Sequence, residues 1–546
     1  MNRLIIERTG NFWIDNGIVA LYKILRKLDY NVDLDVSTLS VTSEKNEGKS
    51  VVEMLNQAKD EVVKHYLTQT KGAGWIYIEK ERHFKVYQKI NYKLHLGKSF
   101  FEGKTGKTEG ALCTPDSKKS DLGAKGRYMT SEEYQNFLEF KEKESPVKIS
   151  DQKNELKNKG YLNSPPKYDI GDYFSTDYLK EGKKLCFFSG KRFYKVDIIN
   201  GMNYPFLTSK SGELNFASQL DSKPSISALY NFISLFSFYI LNYILQIEER
   251  KIKSKYFVLY ESNLKDLDSF YEVIEPNIDT INSTHRDYCS FETQIIGTQY
   301  ESECFFNFLL SVYAQVNQRI QKDKRKGILL KKSVYTLSND GNIFRDVKEY
   351  VSISALFDLF DSFENWEGEE RNYREPFFNF IRFFTKSLEG GKYDTTWRNR
   401  ICSDILNFRS ILKTVEWFLG EVKMREKEVK GGILFLDKII EIYNSKTQVN
   451  MKVEMVDICK TVGNRIGAYC RDKDDKGILF SIRNAKSRIE FLNVLAETQF
   501  RSEVSYSETF FKELPNDAQW EEYKALVSIF AMNSFLYKEK KQTESK

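Results

Sequence analysis

The chain has 546 residues and a mass of 64.1 kDa, so at about 100–200 residues per domain it holds more than one domain. Hydrophobic residues make up 41% and charged residues 29%, a composition that supplies a core and excludes global disorder. The net charge of +6 does not by itself identify a nucleic-acid-binding protein. Seven cysteines, an odd number in a long chain, indicate a reducing compartment, and we expect a cytoplasmic protein without a signal peptide.

The first third predicts a mixed α/β region. Apolar residues at helical spacing predict a helix over about 12–28 and a second over 51–67. Alternating segments at 75–79 and 84–96 are typical of strands. Residues 97–128 follow no periodicity and are rich in Gly and Lys, which predicts an inserted loop.

The middle third contains an uncharged run, residues 225–247, that is long enough to span a bilayer. Because it carries six Ser and Asn residues, it favours a buried helix, and we expect no membrane association. A further helix is predicted over 301–320. Asn339-Asp340-Gly341 between apolar residues predicts a β-hairpin. A membrane-anchored interaction protein is the alternative that this run leaves open.

The last third predicts helices joined by short connections, as in an antiparallel bundle. Helices are expected near 433–444, 452–469, 487–500 and 517–538, and Ser487 with Glu490 fits a capping box. The fold class is therefore α+β, with a mixed region at 1–220, a mainly helical middle at 221–400 and a helical bundle at 401–546. One long helix opens the bundle, because apolar residues recur in steps of four and three at Ile401, Ile405, Phe408, Leu412, Val415, Leu419 and Val422.

The segment from Gly103 to Thr108, GKTGKT, resembles a phosphate-binding loop. The pattern G-x-x-x-x-G-K-[ST] needs a glycine where Phe101 stands, because backbone N–H groups must approach the phosphates closely. A helix should also follow at once, and Glu109 to Pro115 is a poor helix start. A nucleotide-dependent nucleic-acid enzyme using Lys107 stays an alternative.

The same stretch fits a flexible basic loop better. Residues 91–130 contain eight basic and four acidic side chains, a net charge of +4 within a chain of +6. Cations on a glycine-rich loop suit phosphate contacts and insertion into a groove, although a solvated surface loop has the same composition. We expect duplex DNA contacts from Lys98, Lys104, Lys107, Lys118, Lys119, Lys125 and Arg127.

The final bundle carries a second set of cations. A solvated helix face is the ordinary explanation of such a charge run, and binding of a single nucleic-acid strand is the functional one. The members of this predicted ridge are Arg465, Arg471, Arg483, Lys486 and Arg488. No C-x-x-C pair occurs, and Asp472 to Gly477 lacks the oxygen ligands of a calcium loop, so no metal or cofactor is expected.

Three segments together resemble the large subunits of type I CRISPR Cascade complexes, in particular type I-B. The run from Thr9 to Leu21, TGNFWIDNGIVAL, is similar to a family motif T-G-N-P-F-[VI]-D-x-G-[IL], from which Phe12-Trp13 departs. Tyr204 to Leu207 (YPFL), followed by Asn215-Phe216, is the second. The third, Leu479 to Leu492 (LFSIRNAKSRIEFL), is similar to a segment near the family's C-terminus. Their order and spacing agree over most of the chain.

The resemblance implies a non-catalytic subunit of an RNA-guided antiviral complex. Its N-terminal region would contact the crRNA 5′ end and a neighbouring subunit, here through Asn11 and Asn16, and would recognise the protospacer-adjacent motif in target double-stranded DNA. Its bundle would support the displaced strand. The implied partners are the backbone, crRNA-end-binding and small subunits, and either a helicase-nuclease or, in a transposon-associated Cascade, transposition proteins. Many relatives carry paired C-x-x-C motifs near Cys186, which this chain lacks, so zinc is not implied.

Overall fold

The computed structural model describes residues 1–44, 48–68, 74–78, 83–87, 111–122, 127–135, 138, 174–199, 204, 224–248, 251–274, 287–291, 299–320, 332–339, 344–351, 353–366, 371–426, 431–447, 452–502, 505–514 and 519–537. The chain forms two compact units. Unit 1 comprises Met1–Phe291 and Asp323–Ser352, and unit 2 comprises Glu292–Lys322 and Ile353–Lys546. The predicted boundaries at 220 and 400 divide the chain differently. The fold is mixed α+β and rich in helix, as the sequence predicts.

Unit 1 is a mixed α/β unit built from several small sheets. A three-stranded sheet has the order β1-β3-β2, a four-stranded one β4-β5-β6-β7, and a five-stranded antiparallel one β14-β12-β13-β15-β16. Short ladders join β8 with β9 and β10 with β11. The strands are β1 (Arg3–Glu7), β2 (Val32–Leu34), β3 (Thr38–Thr42), β4 (Gly74–Ile78), β5 (His83–Tyr87), β6 (Ala111–Cys113), β7 (Arg127–Tyr128), β8 (Glu181–Leu185), β9 (Arg192–Phe193), β10 (Val196–Ile198), β11 (Ser225–Ser227), β12 (Asn242–Glu248), β13 (Lys251–Tyr260), β14 (Asp287–Cys289), β15 (Ser333–Asn339) and β16 (Phe344–Val351).

The helices of unit 1 surround its first helix, which is its central element. They are α1 (Phe12–Lys27), α2 (Val51–Thr68), α3 (Ala228–Ile233) and α4 (Leu264–Val273). Every residue of α1 from Trp13 to Leu21 is buried, so neighbours pack on all of its sides. The predicted helices at 12–28 and 51–67, the strand at 75–79 and the hairpin around Asn339 are confirmed. The predicted strand at 84–96 is seen as His83–Tyr87, and residues 88–96 lie outside the described ranges.

The uncharged run at 225–247 does not form the single buried helix that we predicted. It is divided into β11, the six-residue helix α3, a 3-10 segment Phe236–Ile240 and β12. Ser227 and Ser234 explain part of this division, because polar side chains that bond the local backbone favour caps and turns over helix interiors. The Ser227 hydroxyl accepts the Tyr230 N–H and so caps α3. Among the described helices, none combines the length and apolarity needed to cross a membrane.

Unit 2 is predominantly helical. Its helices are α5 (Glu301–Arg319), α6 (Ser354–Glu364), α7 (Arg374–Phe383), α8 (Thr396–Leu406), α9 (Leu412–Phe418), α10 (Leu436–Lys446), α11 (Val453–Lys473), α12 (Gly477–Asn484), α13 (Arg488–Ser502), α14 (Glu508–Glu513) and α15 (Trp520–Leu536). A small hairpin joins β17 (Lys386–Ser387) to β18 (Tyr393–Asp394). The predicted helices at 301–320, 433–444, 452–469, 487–500 and 517–538 are confirmed, and α12 and α14 are additional. The middle third, expected to be mainly helical, also contributes strands β12–β16 to unit 1.

The predicted long helix over 401–422 is wrong as one element, since α8 ends at Leu406 and α9 begins at Leu412. Phe408 adopts a positive φ of 51° between them. At the end of α8 the Arg409 N–H donates to the Asp404 carbonyl at 2.9 Å. The Tyr443 hydroxyl donates to the Arg409 carbonyl at 2.7 Å. Helix α9 then continues into a π-helical turn, Leu419–Lys423. Apolar spacing is preserved across the break, so periodicity alone does not reveal it.

Candidate nucleic-acid interface

A short hairpin of unit 1, residues 180–198, projects cations and aromatic rings to solvent, and we call it the basic hairpin. It consists of β8, a turn at residues 187–190, β9 and β10. Six basic and two acidic residues give it a net charge of +4. The basic residues are Lys180, Lys183, Lys184, Lys191, Arg192 and Lys195.

The cations of the basic hairpin are accessible and only weakly engaged. Lys183 and Lys184 are exposed and have no ion-pair partner in the part of the chain that the structure describes. Lys191 contacts Glu7 at 2.6 Å, and Lys180 contacts Asp177 at 2.6 Å, but all four side chains are about half exposed. Exposed pairs contribute about 0–1 kcal/mol, so a phosphate can replace either carboxylate at little cost. The Lys195 ammonium lies 4.8 Å from the Tyr178 ring.

The rings of the basic hairpin face outward because of the strand register. Phe193 is buried, and alternation along the strand therefore turns Arg192 and Tyr194 to the opposite face. Leu185 pairs with Arg192 and lies on that same outer face. Tyr194 is 66% exposed and Phe187, at the turn, is 59% exposed. The outer face thus combines the Tyr194 ring with the Arg192 cation, and the exposed Phe187 ring lies at the turn that joins the two strands. Aromatic rings next to cations are the composition of single-strand binding grooves.

The basic hairpin is anchored to the core of unit 1. The Cys186 thiol is buried and accepts the Ser227 N–H at 3.3 Å, while the Phe187 N–H donates to the Ser225 carbonyl at 2.7 Å. Gly182 allows the two strands to approach, since a Cβ there would lie 2.5 Å from the Tyr194 Cα. These contacts attach the hairpin to β11 and, through Ser227, to helix α3. Its exposed side chains are therefore held on a fixed scaffold.

The loop before α1, residues 9–11, lies beside the hairpin and is fixed by Asp15. The Asp15 carboxylate accepts the Thr9 N–H at 2.7 Å, the Thr9 hydroxyl at 3.0 Å and the Gly10 N–H at 3.0 Å. Burial raises the pKa of Asp15, and these hydrogen bonds oppose that shift. Lys191 reaches Glu7 at the end of β1, two residues before Thr9. The hairpin therefore contacts the strand that leads into this loop.

Asn11 and Asn16, the predicted contacts to RNA or a partner subunit, have internal roles in the structure. The side-chain oxygen of Asn11 caps α1 by accepting the Trp13 and Ile14 N–H groups, and the side-chain NH2 of Asn11 donates to the Tyr204 hydroxyl at 3.2 Å. Asn16 is 1% exposed. Its amide donates to the Leu259 carbonyl at 2.8 Å, and its oxygen accepts the Tyr271 hydroxyl at 2.6 Å. A direct contact through Asn16 would first require this network to open.

Close packing around Gly17 explains why the motif has a glycine at this position. A Cβ at this position would lie 2.5 Å from the Ile233 carbonyl oxygen and 2.8 Å from the Ser237 hydroxyl. Both contacts belong to the segment that begins with β11 and anchors the hairpin. The Ser237 hydroxyl also donates to the Trp13 carbonyl at 2.7 Å. The absence of a side chain at Gly17 therefore sets the distance between α1 and the anchor of the basic hairpin.

The predicted duplex-binding loop is only partly described. Lys98, Lys104, Lys107 and Lys125 lie outside the described residues, as does the GKTGKT segment. Lys118 and Lys119 are exposed at the 3-10 turn Lys119–Leu122. Arg127 forms a bidentate pair with Glu133, at 2.6 and 2.7 Å, and so has an internal partner. The DNA contacts assigned to this loop stay predictions.

The predicted ridge of the bundle divides into engaged and free cations. Arg465 donates to the Ser505 carbonyl at 3.1 Å, and Arg471 donates to the Ser534 and Tyr537 carbonyls, both at 3.0 Å. Arg483 pairs with Glu421. Lys486 and Arg488 are exposed at the start of α13, where the predicted capping box is present because the Ser487 hydroxyl accepts the Glu490 N–H at 3.2 Å. Arg465 and Arg471 are exposed too, but their guanidinium groups donate to backbone carbonyls, so we assign the open contact of this set to Lys486 and Arg488.

Sequence reasoning missed the basic hairpin, although a signal for it exists. The string KEGKKLCFFSGKRFYK places cations directly beside aromatic residues, and its net charge of +5 exceeds the +4 of residues 91–130 in less than half the length. Within the described ranges, no three His, Cys, Asp or Glu side chains come together to hold a metal ion. The sequence matches no protein-family model, and no curated protein matches it.

Proposed function

We propose that this chain is a non-catalytic, nucleic-acid-binding large subunit of an RNA-guided DNA surveillance complex of the Cascade type. The observation that carries the proposal is the basic hairpin: +4 of charge on an anchored, solvent-facing element with interleaved rings. Such a surface attracts a polyanion through phosphate contacts and counterion release. The three motif segments add the resemblance to Cascade large subunits.

A division of labour within such a complex follows from the chemistry. Pairing with a guide RNA reads a long sequence, so the protein needs to recognise only a short duplex motif and the backbone. Unit 1, with the basic hairpin and the 97–128 loop, is the unit we assign to nucleic acid close to that motif. Lys486 and Arg488 in unit 2 are the accessible cations that we assign to the displaced strand. A helicase-nuclease or transposition proteins would supply the catalytic step.

Removal of three hairpin cations tests the nucleic-acid contact. The variant carries Lys183→Gln, Lys184→Gln and Lys195→Gln, and a matched control carries Lys386→Gln, Lys446→Gln and Lys512→Gln, exposed lysines of unit 2. Because each lost phosphate contact lowers the salt slope by about 0.7 for single strands, we expect the slope to fall by about 2 in the hairpin variant alone. Fluorescence anisotropy over a salt series measures it, and equal slopes for both variants would reject the hairpin as the contact.

The wider assignment is tested by purification of the tagged chain from its own cells. Sequencing of co-purifying RNA and mass spectrometry of co-purifying proteins are the measurements. A uniform, repeat-derived short RNA with other Cascade subunits is the expected result, and the enzymes recovered decide between a nuclease and a transposition machine. A nucleic-acid-free chain with no such partners would contradict the assignment.

A further inference from the structure

The basic hairpin exposes two aromatic rings at the surface. Phe187 and Tyr194 expose more than half of their area, although Phe193 between them is buried in the ordinary way. Leu185, 53% exposed, lies on the same outer face as Tyr194. A cluster of exposed apolar side chains of this kind marks an interaction surface.

The surrounding cations identify the kind of partner. Aromatic residues are enriched in protein–protein interfaces, but Lys is depleted there, and the basic hairpin contains five lysines. A polyanion that also carries flat rings satisfies both features. In duplex nucleic acid the bases are stacked within the helix, whereas a single strand can present them to protein side chains.

We infer that the basic hairpin binds single-stranded nucleic acid, with bases stacked on Phe187 and Tyr194 and phosphates beside Lys183, Lys184 and Lys195. This inference rests on the proposed function and specifies the strandedness of the ligand at the same site. Stacking tolerates every base because each has a π-face, so the site contributes affinity with little sequence preference.

The rings have support that reduces the cost of binding. Phe187 meets Phe188 edge to face, with centroids 5.5 Å apart, and Phe188 lies 5.3 Å from the Tyr204 ring. Tyr204 in turn accepts a hydrogen bond from Asn11, and burial raises the pKa of its hydroxyl to about 12, so it stays neutral. A ring that is already positioned loses less conformational freedom when a base stacks on it.

The test replaces the rings with aliphatic side chains in the full chain. Phe187→Leu and Tyr194→Leu keep apolar bulk and remove the π-face, while Tyr194→Phe keeps the ring. The matched control is Tyr393→Leu, a tyrosine of unit 2 that is 59% exposed. Probes are oligo-dT, oligo-rU and a mixed-sequence duplex, each of roughly 12 nucleotides, which is within the site size of single-strand binding folds.

We expect each Leu variant to bind both single strands roughly 5- to 150-fold more weakly, as measured for loss of one stacked base, with duplex affinity within about twofold. Tyr194→Phe and Tyr393→Leu should bind like the wild type. Irradiation with an oligonucleotide containing 5-iodouracil should cross-link to Phe187 or Tyr194, a signal that a merely structural role does not produce. A preference between oligo-dT and oligo-rU, which differ in the sugar and in the methyl group of the base, would still support stacking.

The results separate this inference from the proposed function. If the Leu variants keep wild-type single-strand affinity while the triple Lys→Gln variant loses it, stacking is refuted and the phosphate contact stands. Equal losses on duplex and single strands in the Leu variants would also refute stacking. If the triple Lys→Gln variant binds like the wild type, the site itself is wrong.

Discussion

Arg483 belongs to the predicted ridge of the bundle, and its environment predicts a structural role instead of strand binding. Its guanidinium pairs with Glu421 and is only 13% exposed, while the Glu421 carboxylate is 32% exposed. An exposed pair contributes about 0–1 kcal/mol, and removal of one partner from a buried pair costs about 3–5 kcal/mol. For this half-buried pair we expect Arg483→Gln to cost about 1–3 kcal/mol, because Glu421 keeps access to water.

This cost corresponds to a fall in melting temperature of roughly 2–12 °C for a unit of this size. Circular dichroism during heating measures it, and anisotropy with oligo-dT at a temperature where both proteins are folded measures binding. The control is Arg488→Gln, an exposed cation of the same ridge, for which we expect weaker binding at an unchanged melting temperature. The reasoning is refuted if Arg483→Gln keeps its melting temperature and loses affinity for the strand.

Gly420 provides an independent test of the same contact. A Cβ at Gly420 would lie 2.2 Å from Arg483 Nη1 and 2.9 Å from its Cδ, so Gly420→Ala must displace the guanidinium from Glu421. Since both substitutions break one contact, their effects on the free energy of unfolding should be less than additive. Additive effects would show that Arg483 is not held by this contact.

Two further predictions concern stability. Gly17→Ala should lower the free energy of unfolding by about 1–3 kcal/mol in chemical denaturation, because a backbone carbonyl lies in the way, whereas Gly431→Ala, with open space around it, should change little. Burial raises the pKa of Glu416, so the folded state binds the proton of this carboxyl group more tightly than the unfolded state does. The stabilisation of the folded state by this proton is complete below the pKa of the unfolded state, and it is lost as pH rises through the pKa of the folded state. Glu416→Gln, which imitates the neutral form, should therefore melt above the wild type at neutral pH and equal it in acid; a constant difference across pH would contradict this.

The elements that the sequence predicted are those in which a local pattern and the tertiary environment agree. Helix α1 begins where Asn11 can cap it, and β15 and β16, which flank the predicted turn, pair antiparallel as a hairpin requires. Both signals act over a few residues and need no distant partner. The helix and the hairpin can therefore be predicted without knowledge of the tertiary packing.

The wrong predictions concern elements whose structure depends on contacts between residues distant in sequence. The run at 225–247 is uncharged and largely apolar, and such a run is compatible with a buried helix or a buried strand. Pairing of β12 with β13 and β14 decides the state of its last part. The break between α8 and α9 is stabilised by Tyr443, which lies 34 residues after the carbonyl of Arg409 that it contacts. Neither partner can be identified from the spacing of apolar residues.

The basic hairpin was missed for a different reason. Its cations are separated by aromatic and apolar residues, so no long run of charge appears, and composition alone favours the glycine-rich loop at 97–128. Only the register, with Phe193 inward and Arg192 and Tyr194 outward, shows that charge and rings share a surface. The pattern of alternation in a short strand carries this information, but its inward face must be known first.

The motif at the N-terminus carries the resemblance, yet its polar residues are occupied within the fold. Asp15 holds the loop at Thr9 and Gly10, Asn11 caps the helix, and Asn16 joins α1 to β13 and α4. A similarity in these residues therefore indicates the same placement of α1 and of the elements packed on it. Under the proposed function, contacts with nucleic acid would come from side chains that this framework positions, and the exposed cations of the basic hairpin meet that requirement.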